Sequence, residues 1–238
     1  MKKEEKRIHW NQFQGKYLKN IVYGGLDGII TTFAVVAGVA GASLSSGIAL
    51  ILGFANLIAD GISMAIGDYF STKSEREFQK KEFLKESKEL KNNPKEEKQE
   101  EIEKYTKAGM SKKEAEKVVN VLIKHKNIFL KKHVTSELNF VYETESPLKN
   151  SLATFFSFLI FGFIPLSFYL LGFISESFIR SQFILSIVLT IIALAILGTF
   201  KSKITGKSKT ASVIETIIIG GLAASAAYTI GLLLGQLA

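Results

Sequence analysis

Five long apolar runs, broken by short polar joints and one long charged block, organise this chain. Ile21 to Leu44 carries a single charge, Asp27. Ser46 to Phe70 follows after a very short turn and carries Asp60 and Asp68. Ser151 to Ile174 contains Pro165, Phe183 to Phe200 has no charge, and Ala211 to Ala238 has Glu215 near its start. A helix needs about 20 apolar residues to cross the hydrocarbon core, so each run predicts a transmembrane helix, the fourth being close to the lower limit. The first two should form a tight helical hairpin. Spanning β-strands are shorter and alternate in polarity, which these runs do not.

The charged block predicts helices of another kind. From Ser71 the chain is rich in Lys, Glu, Gln, Phe and Leu and meets no proline before Pro94. Asn92, Asn93 and Pro94 mark a turn and a new helix start, and that helix should run to about Ala108, with Gly109 ending it. Ser111 and Glu114 have the spacing of a capping box. Val118, Val119, Leu122 and Ile123 give the next helix an apolar face, and Ile128 to Leu138 reads as a return helix. The expected fold is all-α: an integral membrane protein with five transmembrane helices and a helical cytosolic domain between the second and third. Its parts would be a tail over 1–20, the first two spans over 21–70, the inserted domain over 71–147, and the last three spans over 148–238.

Charge sets the expected orientation. The 238 residues include 30 Lys and Arg and carry a net charge of +8. Such a balance could serve nucleic acid, but in a membrane protein it reads as the excess of cytoplasmic positive charge. Six basic residues lie in the tail, nineteen in Ser71 to Asn150 and four in Lys201 to Lys209, leaving Arg180 alone. Five spans with the N-terminus inside put 29 of the 30 on the cytosolic side. The C-terminus then falls outside or in a lumen. Met1 to Asn20 is too polar for a cleavable signal peptide. The absence of cysteine removes disulfides and thiolate ligands.

Within the first two spans, charge needs a reason. An Asp at the bilayer centre costs from about 2.5 kcal/mol upward. Asn56, Asp60, Met64 and Asp68 recur every fourth residue, so they form one slowly drifting helical stripe. With Asp27 they offer oxygen and thioether groups to a cation path. Carboxylate suits Mg, Ca, Mn or Fe(II), thioether suits softer metals, and a site mixing both favours Fe(II). Asp68, close to the basic block, fits an interfacial position equally well, and Met64 alone fits a core filler. Glycines in the first, second and fifth spans fit close helix packing and dimer faces. In the charged block, Glu82, Glu86 and Glu89 share a face, Glu97 and Glu100 are three apart, and His133 and Glu137 are four apart. Carboxylates and an imidazole on facing helices can build a metal site; the alternative is a solvated Glu/Lys surface.

The segments YGGLDGIITTFAVVAGVAGA (Tyr23 to Ala42) and NLIADGISMAIGDYFSTKSE (Asn56 to Glu75) resemble the vacuolar iron transporter (VIT) family, as do the five spans and the position of the charged domain. The resemblance implies a homodimer in the lipid bilayer that exchanges cytosolic Fe2+, and often Mn2+, for protons. It implies no permanently bound cofactor, with the metal as both cargo and regulatory ligand. Asp27 and Met64 match the family's membrane metal site. Asn56 stands where plant-type members carry Glu, which removes one titratable carboxylate; Asp60, one turn on, can compensate. In the cytosolic domain Glu86 with Glu89, Glu97 with Glu100, and Glu137 match the family's metal-binding glutamates. His133 replaces one of the methionines that precede the last of these.

Three functions compete: a metal/proton antiporter, a passive cation channel with the same lining, and a membrane-anchored metal-binding scaffold. Asp27 and Asp60 argue against the scaffold, which has no need of intramembrane carboxylates. No nucleophile motif or P-loop points to an enzyme or to ATP drive. A chain this compact suits efflux across a plasma (inner) membrane better than a vacuolar membrane.

Overall fold

A computed structural model describes the backbone of residues 2–138, 146–174 and 180–237 and the side chains of 17–134, 146–172 and 180–237. Eight α-helices and a closing 3-10 turn make up these residues, with no strand among them. They are α1 (Lys2–Gly41), α2 (Ser46–Asn92), α3 (Pro94–Lys107), α4 (Lys112–Leu122), α5 (Lys126–Leu138), α6 (Pro147–Ile174), α7 (Gln182–Thr205) and α8 (Lys209–Leu234). Five helices, α1, α2, α6, α7 and α8, are long and apolar enough to cross a membrane, so the chain is a multi-pass membrane protein. Two compact units divide it: residues 1–70 with 145–238, and residues 71–144.

Two helices are longer than their apolar runs. The polar residues before Ile21 continue the helix of the first span, and α2 runs without a break from Ser46 to Asn92. The reason is local. No proline interrupts either stretch, and nothing between Gly67 and Asn92 favours a turn over another helical residue. Asn93 and Pro94 then end α2 and start α3, with Pro94 in the first turn, where its missing N–H costs nothing. The expected hairpin is present: only Ala42 to Ser45 join α1 to α2. Ser43 takes φ 56° there, and the Leu44 N–H reaches back to the Val39 carbonyl at 3.1 Å, the wrapped helix end that usually takes glycine.

In the apolar unit α1 is the central post, packed by α6, α7 and α8. Small residues let it be one. A Cβ on Gly24 would stand 2.5 Å from the Thr154 carbonyl oxygen, and one on Gly28 2.4 Å from that of Phe158. The α1 and α6 backbones are therefore in direct contact. Ile29, Val36, Phe158, Leu166 and Leu197 are fully buried around this seam. Polar ties close the bundle. Ser157 donates to the Ile21 carbonyl at 2.6 Å, Ser186 to the Pro165 carbonyl at 2.7 Å, and Gln182 to the Ser46 hydroxyl.

The second unit has its own core, in which Ile102, Ala115, Val119 and Phe129 are buried together. Helix α4 begins with the capping box read from the sequence, Ser111 and Glu114 each satisfying the other's backbone. Gly109, at φ +106°, follows the end of α3 in a conformation that disfavours a side chain.

Candidate metal centres

Two groups of polar residues stand out, one in each unit. In the apolar unit Asp27 lies on α1, ten residues from Tyr17, where the span begins, or about 15 Å along the helix axis. Its carboxylate is in electrostatic range of Asp60 on α2. Asn56, Asp60, Met64 and Asp68 are all partly exposed along one stripe of α2. The Asn56 side-chain nitrogen is buried without a hydrogen bond. Met64 packs partly against the main apolar core. Asp68 differs from the other three. Its Oδ2 accepts from Asn20 at 2.8 Å and from Thr154 at 2.7 Å, which ties α1, α2 and α6 together. Asp27 and Asp60 thus interact across the first two spans, Asn56 and Met64 lie one turn to either side of Asp60 on α2, and Asp68 is engaged in packing.

The second group is more enclosed. Glu86 of α2, Glu97 and Glu101 of α3 and His133 of α5 are all buried. Helical spacing brings Glu97 and Glu101, four apart, onto one face of α3. The His133 ring is held flat against Phe129, one turn earlier on α5, with ring centroids 5.6 Å apart. Its Nε2 lies 3.1 Å from Glu97 Oε2 and 3.5 Å from Glu86 Oε2. Its Nδ1 lies 2.9 Å from Glu101 Oε2. Ligand atoms of Glu86, Glu97 and His133 fall within 4.8 Å of one another, close enough to hold one metal ion.

Electrostatics agree with that reading. Burying a carboxylate is unfavourable unless it is paired. Here three carboxylates surround one imidazole, and Lys85, 3.4 Å from Glu86, is more than half exposed. A cation between Glu86, Glu97 and His133 would pair with both carboxylates at once. Two oxygens and one imidazole nitrogen suit a borderline divalent transition metal better than Ca2+ or Mg2+.

The expected ligand set is met only in part by this geometry. Glu86, Glu97 and His133 converge. Glu89 is partly exposed and pairs with Lys85 at 3.9 Å, and Glu100 is half exposed and pairs with Lys104 at 3.0 Å. The structure does not bring either to the buried cluster. Glu137 is on α5, but its side chain lies outside the described residues. Glu101 went unnoticed in the sequence. The available signal was spacing: from Glu97, both Glu100 and Glu101 are helical neighbours, and only the direction of His133 chooses between them.

Away from the cluster, the two hydrogen bonds from Ser111 hold the Glu114 carboxyl below the usual carboxylate range.

The fold and these sites define a multi-pass helical membrane protein with paired intramembrane carboxylates and a separate histidine–carboxylate cluster. The profile of the VIT family matches residues 18–232, and the chain belongs to that family. It is similar to the vacuolar iron transporter of Toxoplasma gondii, with 37% identity over 97% of this chain and 78% of the relative. The vacuolar iron transporter of Plasmodium falciparum is 34% identical over 91% of this chain and 82% of its own length. Vacuolar iron transporter 1 of Arabidopsis thaliana is 32% identical over 90% and 84%.

Proposed function

We propose that this protein exports a divalent transition metal, Fe2+ with Mn2+ as a second cargo, from the cytosol in exchange for protons. The observation that carries the reading is the Asp27–Asp60 pair, two carboxylates within electrostatic range on adjacent spans. Neighbouring like charges in low dielectric repel, and either a metal ion or a proton relieves them. One binding event therefore displaces the other, which is the coupling an exchanger needs. Met64 adds a soft donor that discriminates against Ca2+ and Mg2+. The names of the relatives support iron as the cargo. The Glu86–Glu97–His133 cluster would collect the ion on the cytosolic side, the side assigned to residues 71–144 by their excess of Lys and Arg.

The working unit is a homodimer in the bilayer. The apolar windows of α2 and α8 are the least buried within the chain, at 22% and 17%, against 50% in α1. The exposed surface of α2 includes Ala55, Ala59, Ser63 and Gly67, a small residue at every fourth position. Beside them runs the polar Asn56–Asp60–Met64 stripe. Such a face suits a second copy of the helix better than lipid.

Flux into proteoliposomes tests the reading, with Fe2+, Mn2+, Zn2+ and Ca2+ each measured with and without a pH gradient. Fe2+ flux should depend on the gradient, and Asp27→Asn and Asp60→Asn should each lower it. Gradient-independent flux would make the protein a channel. No flux at all would leave a membrane-anchored metal binder.

A further inference from the structure

His133 faces different partners at its two ring nitrogens. Toward Nε2 lie Glu97 and Glu86, at 3.1 and 3.5 Å; toward Nδ1 lies Glu101, at 2.9 Å. An ionised carboxylate can only accept a hydrogen bond. The short contact to Glu101 therefore places a hydrogen-bonded proton on Nδ1, and Nε2, directed toward Glu97 and Glu86, is the nitrogen that an ion seated between those two carboxylates would take in place of a proton. The neighbours keep the ring in this pose. Glu101 and His133 are each 2% exposed, so bulk water does not compete for the bond, and Phe129 covers one face of the ring. The two ring nitrogens point to opposite sides of the imidazole. The Glu101 oxygen on Nδ1 therefore cannot share an ion that sits on Nε2.

We propose that Glu101 is a positioning residue for the metal site. It binds no metal itself; it sets the tautomer and orientation of His133 so that Nε2, with Glu86 and Glu97, presents three donors to one ion. A carboxylate behind a metal-binding histidine also raises the basicity of the ring, which strengthens the bond to the metal. This rests on the metal-binding reading of the cluster, and the test separates the two.

The full-length protein in lipid nanodiscs, labelled with ¹⁵N-histidine, is titrated with Zn2+, a diamagnetic probe of the same site. Only three histidines are present, so His133→Ala assigns the signal. The loaded protein should show Zn2+ on Nε2 and a hydrogen-bonded proton on Nδ1. Glu101→Leu should weaken Zn2+ binding by about 10- to 100-fold, the usual effect of losing such a partner, and should scramble which nitrogen carries the proton. Glu101→Gln keeps an acceptor for the Nδ1 proton without changing shape, so it also serves if the leucine variant does not fold. It should lose clearly less affinity than Glu86→Gln, which alters a ligand. Zn2+ on Nδ1 in the native protein, or Glu101→Gln as damaging as Glu86→Gln, would overturn the proposal. If His133→Ala binds Zn2+ as the native protein does, the metal-site reading fails instead.

Discussion

Replacing Gly28 by alanine tests the α1–α6 seam and its bearing on transport. The added methyl would lie 2.4 Å from the Phe158 carbonyl oxygen, 3.0 Å from its Cα and 3.1 Å from its carbonyl carbon. All three are backbone atoms of a packed helix, so no side-chain rotation relieves the clash. Reaching ordinary contact at 3.4 Å from the oxygen requires α1 and α6 to part by about 1 Å. Separation of that size forfeits a quarter to a half of each affected van der Waals contact, and Ile29 and Phe158, both fully buried, are in the zone that opens. Overpacking of this type costs about 1–3 kcal/mol. Helix propensity returns up to about 1 kcal/mol when glycine becomes alanine. With the full return the net expectation is a loss of about 0–2 kcal/mol, and the gap to a control that gains the same propensity without the clash is the full overpacking cost of about 1–3 kcal/mol. Gly221→Ala is the control: nothing lies within 4 Å of the added Cβ, so it should be neutral or slightly stabilising. Reversible unfolding in mixed detergent–SDS micelles measures both. Asp27 precedes Gly28 and moves with it, so metal flux should fall in the first variant and not in the second. Equal stability of the two variants would refute the direct backbone contact.

Other expectations follow from the same geometry. His133→Ala in the full-length protein should weaken metal binding at least about tenfold, while Glu89→Ala and Glu100→Ala, which remove partly exposed, lysine-paired carboxylates, should stay within about fivefold by calorimetry. Asp68→Ala removes the acceptor of two interhelical hydrogen bonds and should destabilise the bundle by about 1–2 kcal/mol in the same unfolding assay, with Asp68→Asn milder because an acceptor remains. The lowered pKa of Glu114 means that the capping box contributes fully above the usual carboxylate range and loses this contribution as pH falls through the lowered value. Ser111→Ala should therefore speed hydrogen exchange in α4 at neutral pH, with a shrinking difference from the native chain as the solution is acidified.

The sequence exposed most readily what depends on neighbours along the chain. The five spans follow from uninterrupted apolar length, and the break at Pro94, the end at Gly109 and the box at Ser111 follow from single-residue backbone preferences. The course of α2 beyond Phe70 follows from the same preferences, because a change from apolar to charged side chains does not end a helix. Facing is harder to read. Glu97, Glu100 and Glu101 all satisfy helical spacing, and three-dimensional packing of α3 against α5 decides that Glu101 meets His133 while Glu100 turns to Lys104. Asp68 shows the same limit: its place on the stripe is periodic, but its engagement depends on Asn20 and Thr154, residues distant in sequence.

The three converging ligands come from three helices, Glu86 from α2, Glu97 from α3 and His133 from α5. An ion seated among them would act as a clasp across separate parts of the chain. Because the unfolded chain cannot present that geometry, binding free energy adds directly to folding free energy. A free-metal concentration a hundredfold above the dissociation constant is worth about 2.7 kcal/mol. The melting temperature of this unit should then climb with free metal and drop on chelation. The helices around His133 would be slack when metal is scarce and taut when it is abundant, so their firmness is itself a reading of the metal level around them.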